Sequence, residues 1–191
     1  MNTLLQDFLR KPADVVAPLL LGCVLEREID GQLLRVKIVE TEAYDQTDAA
    51  SHSYKGKTPR TDVMFGQPGH LYVYFTYGMH YCCNVVVDNE GIGAAVLIRA
   101  VEPLEGHEIM QEKRHYSGVE LSNGPAKLCQ ALAIDKNLNG HDLSMSPLKL
   151  VLRDPLPTSA ITQTERIGIS QAKDVKWRFY ITDNDYVSRR G

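Results

Sequence analysis

The sequence predicts an α+β fold: one domain over residues 1–191, built on a mixed, largely antiparallel sheet or partly open barrel, flanked by helices and carrying a protruding β-hairpin. Three observations predict it. A chain of 191 residues and 21.4 kDa is long enough to bury a real core and short for two independent ones. Strand-like runs follow one another through turns too short for crossover helices, which requires antiparallel neighbours. Helix-like stretches stand before and after that group of strands. With 43% apolar and 24% charged residues, the composition excludes a disordered chain, a collagen and a coiled coil.

The elements are read in chain order. Residues 3–11, "TLLQDFLRK", and 13–21, "ADVVAPLLL", are expected to be short helices, the second kinked or broken by Pro18 and closed by Gly22. "CVLEREI" and "LLRVKIVETEAY" are strands joined by "DGQ", whose Asp-Gly is a strong hairpin signal. Residues 45–69 lose periodicity and gather Gly, Ser, Thr and Pro, which reads as a long ordered loop with one helical turn around "RTDVMF". A loop of that length inside a compact domain is usually functional. "HLYVYFTYGMHYCCNVVVD", residues 70–88, forms a hairpin with Tyr77-Gly78 at its tip, followed by the turn "DNEG" and the strand "AAVLIRAVEP". Residues 104–115 and 123–134 are expected helices, the latter with Pro125 in its first turn, where proline is tolerated. "KLVL" is strand-like, "ITQTERIG" is expected as a short helix and "WRFYI" as a late strand.

The apolar run "VVAPLLLGCVL" is interrupted by Pro18 and too short to span a bilayer. No small-residue cleavage site follows it, so neither a signal peptide nor a membrane partner is expected, and the expected location is the cytoplasm. Cys23, Cys82, Cys83 and Cys129 lack the spacing of a structural zinc site, so they read as small buried hydrophobes and no metal is expected. A net charge of −3 argues against a nucleic-acid partner on average, but a local field decides that question, so the distribution matters more.

In "VETEAY" a regular strand puts Glu40, Glu42 and Tyr44 on one face, at the mouth of the long loop. A solvated edge is the commoner reading of two strand glutamates, but a rigid strand ending at a long loop is also a common carrier of reacting groups. Arg99 stands among apolar neighbours in "AAVLIRAV" and cannot be neutralised, so it demands an anionic partner, for which Glu42 would serve. Asn84 interrupts "YCCNVVV" and must find partners or line a polar cavity. Tyr72 and Tyr74 share a strand face, either as cross-strand packing or as a stacking platform. "SHSYKGKTPR" brings Lys55, Lys57 and Arg60 together with no acid between them and adds the Thr58 hydroxyl, which beside stacking aromatics looks like a phosphate clamp.

Together, "VETEAY", "SHS" with "TPR" and "MF", "PGHLYVYFTYGMHYCCN", "VLIRAVEPLEG", "NGPAKLCQALAI" and "RIG" with "RFY" resemble the alkyladenine DNA glycosylase family, the mammalian-type 3-methyladenine DNA glycosylases, in order from about Pro12 to Ser188. The resemblance implies a monofunctional enzyme of base excision repair that acts on damaged duplex DNA as a monomer and needs no cofactor. It hydrolyses the N-glycosidic bond of alkylated or deaminated purines such as 3-methyladenine, 7-methylguanine, hypoxanthine and ethenoadenine. It assigns Glu42 as the base that activates water, with Arg99 and the backbone carbonyl of Ile167 holding that water, and leaves Glu40 a supporting position. It places the extruded base between Tyr44 on one side and His52 with Tyr74 on the other, with Asn84 crowding the 2-amino group of guanine. Tyr77 becomes the wedge that fills the vacated stack, which answers why a tyrosine stands beside the hairpin glycine. Met79, Thr58, Arg60 and Lys127 are the remaining implied DNA contacts. His80 departs from the best-known members, which carry another aromatic after "YGM", and the loop from Tyr44 to His52 is one residue shorter than in some of them.

Two other readings compete. A carbohydrate glycosidase would use Glu40 and Glu42 as an acid and nucleophile pair, but it has little use for a basic loop and a hairpin-tip tyrosine. A noncatalytic nucleic-acid binding module with the same fold would have no need of Glu42 and Arg99.

Overall fold

The computed structural model describes residues 3–76 and 79–188. Its spine is the strand β2 (Gln32–Tyr44), the longest of the sheet, paired along its first half with β1 (Val24–Ile29) and, on its other side, from Arg35 to Tyr44 with β5 (Ala95–Glu105). Asp30 and Gly31 turn the β1–β2 hairpin with φ of 51° and 77°. Positive φ at both central residues is what a two-residue turn matched to strand twist needs, and Asp-Gly supplies it. Where β1 ends its pairing, β8 (Arg178–Ile181) takes over the same edge of β2, opposite Glu40, Thr41 and Glu42. These glutamates therefore lie on a strand paired on both sides, and register shifts around Glu40 bend it locally.

On the far side of β5 comes the hairpin of β3 (Leu71–Thr76) and β4 (His80–Val86), with β4 next to β5. β6 (Leu148–Val151) closes the other edge on β1, and β7 (Ile161–Thr164) pairs β8. The order is β3-β4-β5-β2-β1-β6, with β8 and β7 branching from β2, and the pairings among the described residues are antiparallel. The α+β fold read from the sequence is the fold observed.

The segment expected as a short helix, "ITQTERIG", is corrected by β7. Ile161, Thr162 and Thr164 are β-branched, and their backbone groups are met by β8, a partner too far along the chain for a local reading to supply. The N-terminal helices α1 (Thr3–Leu9) and α2 (Ala13–Leu19) are shorter than their apolar runs, with Pro18 in the last turn of α2. β5 continues to Glu105, so α3 (His107–Arg114) begins only after Gly106, which adopts φ 85°. α4 (Pro125–Ala131) starts on its proline as expected. The long loop contains two short 3-10 turns, His52–Lys55 and Asp62–Phe65, of which the sequence marked the second.

Leu5, Leu9, Val16 and Leu20 of the N-terminal segment and Leu128 and Cys129 of α4 join the apolar residues of β2, β4 and β5 in one core. Burying these side chains is the main favourable term holding the sheet to its helices. The four cysteines are buried and free. Tyr72, Met64, Val86 and Ala95 form a smaller cluster beneath the long loop. Gly93 seals that loop onto the sheet. A Cβ there would lie 2.5 Å from Phe65 and 2.8 Å from Ser53, whose hydroxyl donates to the Gly93 carbonyl at 2.8 Å. No helix among the described residues is long and apolar enough to cross a membrane.

Candidate active site

Glu42 is fully buried where β2 runs between β5 and β8. Its Oε1 accepts the Ile167 backbone N–H at 2.7 Å. Its Oε2 accepts the Tyr44 hydroxyl at 2.8 Å and faces Arg99 Nη1 at 3.2 Å. Arg99 Nε donates to Glu40 Oε1 at 3.0 Å, so one guanidinium bridges both glutamates. The anionic partner that a buried arginine demands is present twice over.

Glu40 has further partners. Arg178 Nε donates to Oε1 at 2.7 Å, as does the Ser188 hydroxyl at 2.9 Å, while the Ser188 N–H donates to Oε2 at 2.7 Å. Burial alone would push the Glu40 pKa up, but Arg99, Arg178 and Ser188 outweigh it and hold the group below its usual value. Arg99 behaves reciprocally: burial favours its neutral form, and Glu42 and Glu40 override that and keep it charged. At Tyr44, burial first and the Glu42 charge second push the phenol upward, so it remains a hydrogen-bond donor to Glu42 throughout the working pH range.

A cavity of about 450 Å³ opens in front of this carboxylate. Tyr44, His52, Tyr74, Asn84, Arg99 and Ile167 all contribute to its lining along with Glu42, and the stretch from Ile167 to Gln171 forms one wall. Strand alternation brings Tyr72 and Tyr74 together, their rings stacked at 5.7 Å and 29°. Tyr72 is buried and uses its hydroxyl to fix His52 through Nδ1 at 3.1 Å, and His52 stands edge-on to Tyr74 at 4.6 Å. Part of the His52 ring is exposed. Burial of the remainder, and secondly the Arg60 cation, hold its pKa below the usual histidine value, which keeps it neutral at pH 7. Asn84 satisfies both of its expected readings, donating from Nδ2 to the Tyr72 carbonyl at 3.1 Å while lining the cavity. Glu40 lies behind Arg99 and is not part of the lining, which removes the paired acid and nucleophile of the carbohydrate reading.

Other expected positions lie outside the cavity. Arg60 leans over the Tyr74 ring, 5.9 Å from its centroid. Thr58 bonds the Thr61 hydroxyl at 3.0 Å, and Lys57 pairs with Asp62 at 2.7 Å, an acid just beyond the basic stretch that reduces the cationic charge read there. Met79 is exposed at the hairpin. Lys127 is held by Glu120 at 2.5 Å and Asn123 at 2.7 Å, beside a separate groove that also takes in His80 and Arg114. Tyr77, the expected wedge, lies outside the described residues. At Ile167 the contact seen is the amide on Glu42, whereas the carbonyl was the group expected. Arg178, Ser188, Arg166 and Asp48 were not singled out in the sequence, although Arg178 in "WRFYI" carries the same signal as Arg99, a guanidinium in an apolar strand.

A family model described as methylpurine-DNA glycosylase matches residues 7–185, a span that includes every residue lining the cavity. The chain belongs to the methylpurine-DNA glycosylase family. Within it, the chain is 52% identical over 187 residues to a relative from Carboxydothermus hydrogenoformans, covering 97% of this chain and 98% of the relative. It is 48% identical over 202 residues to one from Desulfitobacterium hafniense, covering 98% and 99%, and 48% identical over 194 residues to one from Francisella tularensis, covering both chains fully. All three are named as 3-methyladenine DNA glycosylases. The resemblance read from the motifs and the methylpurine-DNA glycosylase match agree over nearly the same residues.

Proposed function

We propose that this DNA glycosylase of DNA repair extrudes alkylated or deaminated purines from duplex DNA and hydrolyses their N-glycosidic bond with water activated by Glu42. The hydrogen bonding of that carboxylate carries the reading. Oε2 is occupied by Tyr44 and Arg99, while Oε1 has, among the described residues, the Ile167 N–H alone, so the lone pair left on Oε1 is where a water is accepted. Donors on both oxygens fix the direction in which the group receives a proton, and the cavity before it is lined by aromatic faces.

The chemistry follows from charge. Cleavage leaves positive charge on the deoxyribose, and an oxocarbenium-like transition state is stabilised by a nearby carboxylate. Arg99 is shared with Glu40, so it holds Glu42 in place without cancelling its charge. A base within the helix is unreachable, so extrusion is required at a cost of a few kcal/mol. Stacking on an aromatic recovers about 1–3 kcal/mol per base. Tyr44 on one side and His52 with Tyr74 on the other take the base, Asn84 disfavours guanine, and Tyr77 fills the gap in the stack. Met79, Thr58, Arg60 and Lys127 contact the DNA. Purines alkylated at N3 or N7 are cations, hence both better leaving groups and stronger partners for aromatic faces. The enzyme acts as a monomer in the cytoplasm, and water is its co-substrate.

The test is a duplex carrying one hypoxanthine or 3-methyladenine, incubated without metal or nucleotide. Free base is released, and the strand breaks only after alkali. Strand breakage before alkali would contradict simple hydrolysis, and absence of released base would overturn the reading.

A further inference from the structure

Arg166 precedes the amide that holds Glu42, yet its side chain turns away from the cavity and is completely buried. Both terminal nitrogens bind Asp48, with Nη2 to Oδ1 at 3.0 Å. Nη1 also donates to the Ala43 carbonyl at 3.0 Å. The guanidinium lies over the Tyr44 ring, 4.7 Å from its centroid, with the Trp177 ring at 5.5 Å. A carboxylate gripped by both arms of a guanidinium lies in its plane, so Asp48 sits at the rim of the cation, while the cation's central carbon stands over the Tyr44 ring. Tyr44 thus presents one face to a fixed cation and the other to the cavity, while its hydroxyl is anchored on Glu42.

We propose that Arg166 is a specificity-determining residue, acting through Tyr44: a fixed cation on the far face of this ring that weakens its attraction for positively charged purines relative to neutral ones. The inference rests on the reading that the cavity receives an extruded purine against Tyr44.

An aromatic ring attracts a cation through the electron density on its faces. A guanidinium on the back face already draws on that density. A charged purine on the front face would share it and would also be repelled through the ring, with no water between the charges to screen them. A neutral purine stacks by dispersion and area and feels little of either effect. Arg166 therefore trims the advantage of charged lesions and brings neutral ones within range of the same site. Asp48 keeps the cation affordable in a dry interior while remaining off the ring face.

Three forms of the full-length protein test this: wild type, D48N/R166Q and R166K. The double substitution removes one charge of each sign, so no buried ion is left unpaired and the net charge stays at −3. kcat/KM is measured for release of 7-methylguanine, a cation, and hypoxanthine, a neutral base, from otherwise identical duplexes. A misfolded fraction lowers both values equally and leaves their ratio alone. The ratio of charged to neutral release is expected to rise at least about threefold in D48N/R166Q and to stay within about twofold of wild type in R166K, which keeps the charge. D48N/R166M, whose methionine occupies similar space beside both rings, carries the measurement if the first pair does not fold. An unchanged ratio in the folded double variant, or an equal rise in R166K, overturns the proposal. Failure of the wild-type protein to release either base would instead overturn the functional reading, and the inference with it.

Discussion

Replacing Glu42 by glutamine is expected to lower base release by about 10³-fold or more, while affinity for lesion-bearing duplex stays within a few-fold of wild type. General-base catalysis contributes roughly 10²–10⁴ in rate, and an amide cannot take the proton. The amide oxygen can still accept the Ile167 N–H, but the amide nitrogen then faces the Tyr44 hydroxyl and Arg99 Nη1, both donors. The hydroxyl can rotate to accept, and Arg99 keeps Glu40, so the pocket survives with its charge removed. Single-turnover release and equilibrium binding to the same duplex separate the two effects. A variant as active as wild type would remove Glu42 as the base.

Replacing Glu40 by glutamine is expected to have its main effect on stability, lowering it by about 3–5 kcal/mol, because removing one charge from a buried ionic network leaves the cations around it undercompensated. The amide oxygen can still accept from Arg99, Arg178 and the Ser188 hydroxyl, but the negative charge between the two guanidiniums is gone and the amide nitrogen faces the Ser188 N–H, donor against donor. For a chain of this length that corresponds to a fall in Tm of roughly 10 °C. The pH dependence has a defined sign. The folded pKa of Glu40 lies below its ordinary 4.5, so its stabilisation is complete above about that pH and is lost as pH falls through the depressed folded value. The wild-type protein should therefore lose stability below pH about 4.5 more steeply than the variant. Thermal unfolding between pH 3 and 7 checks this, and an equal slope in both proteins would show that Glu40 is not the group responsible.

The contrast between the two glutamates marks what the sequence could carry. Strand alternation put both on one face of β2 and could not rank them, since the ranking comes from partners remote in the chain: Ile167 for Glu42, and Arg178 and Ser188 for Glu40. Arg99 was legible because a guanidinium among apolar neighbours must find an anion, and Arg178 obeys the same rule without having been picked out. The β1–β2 turn and the start of α4 were legible because Asp-Gly and an early proline act on their own backbone. β7 was misread because a four-residue segment has no periodicity of its own and takes its state from β8. Arg166 and Asp48 stand 118 residues apart, and no local pattern joins them. The family motifs identified the glycosylase because many of their residues fall on the cavity lining, and although "RIG" and "RFY" contain Arg166 and Arg178, what those two side chains bind is visible only once the chain is folded.

The most direct measurement is a structure of the Glu42→Gln protein bound to a duplex with a single hypoxanthine. The extruded purine is predicted to fill the cavity with one face on Tyr44 and its glycosidic carbon turned toward the side chain at position 42. A purine still stacked in the helix, or one seated in the cavity with that carbon facing away from position 42, would contradict the mechanism.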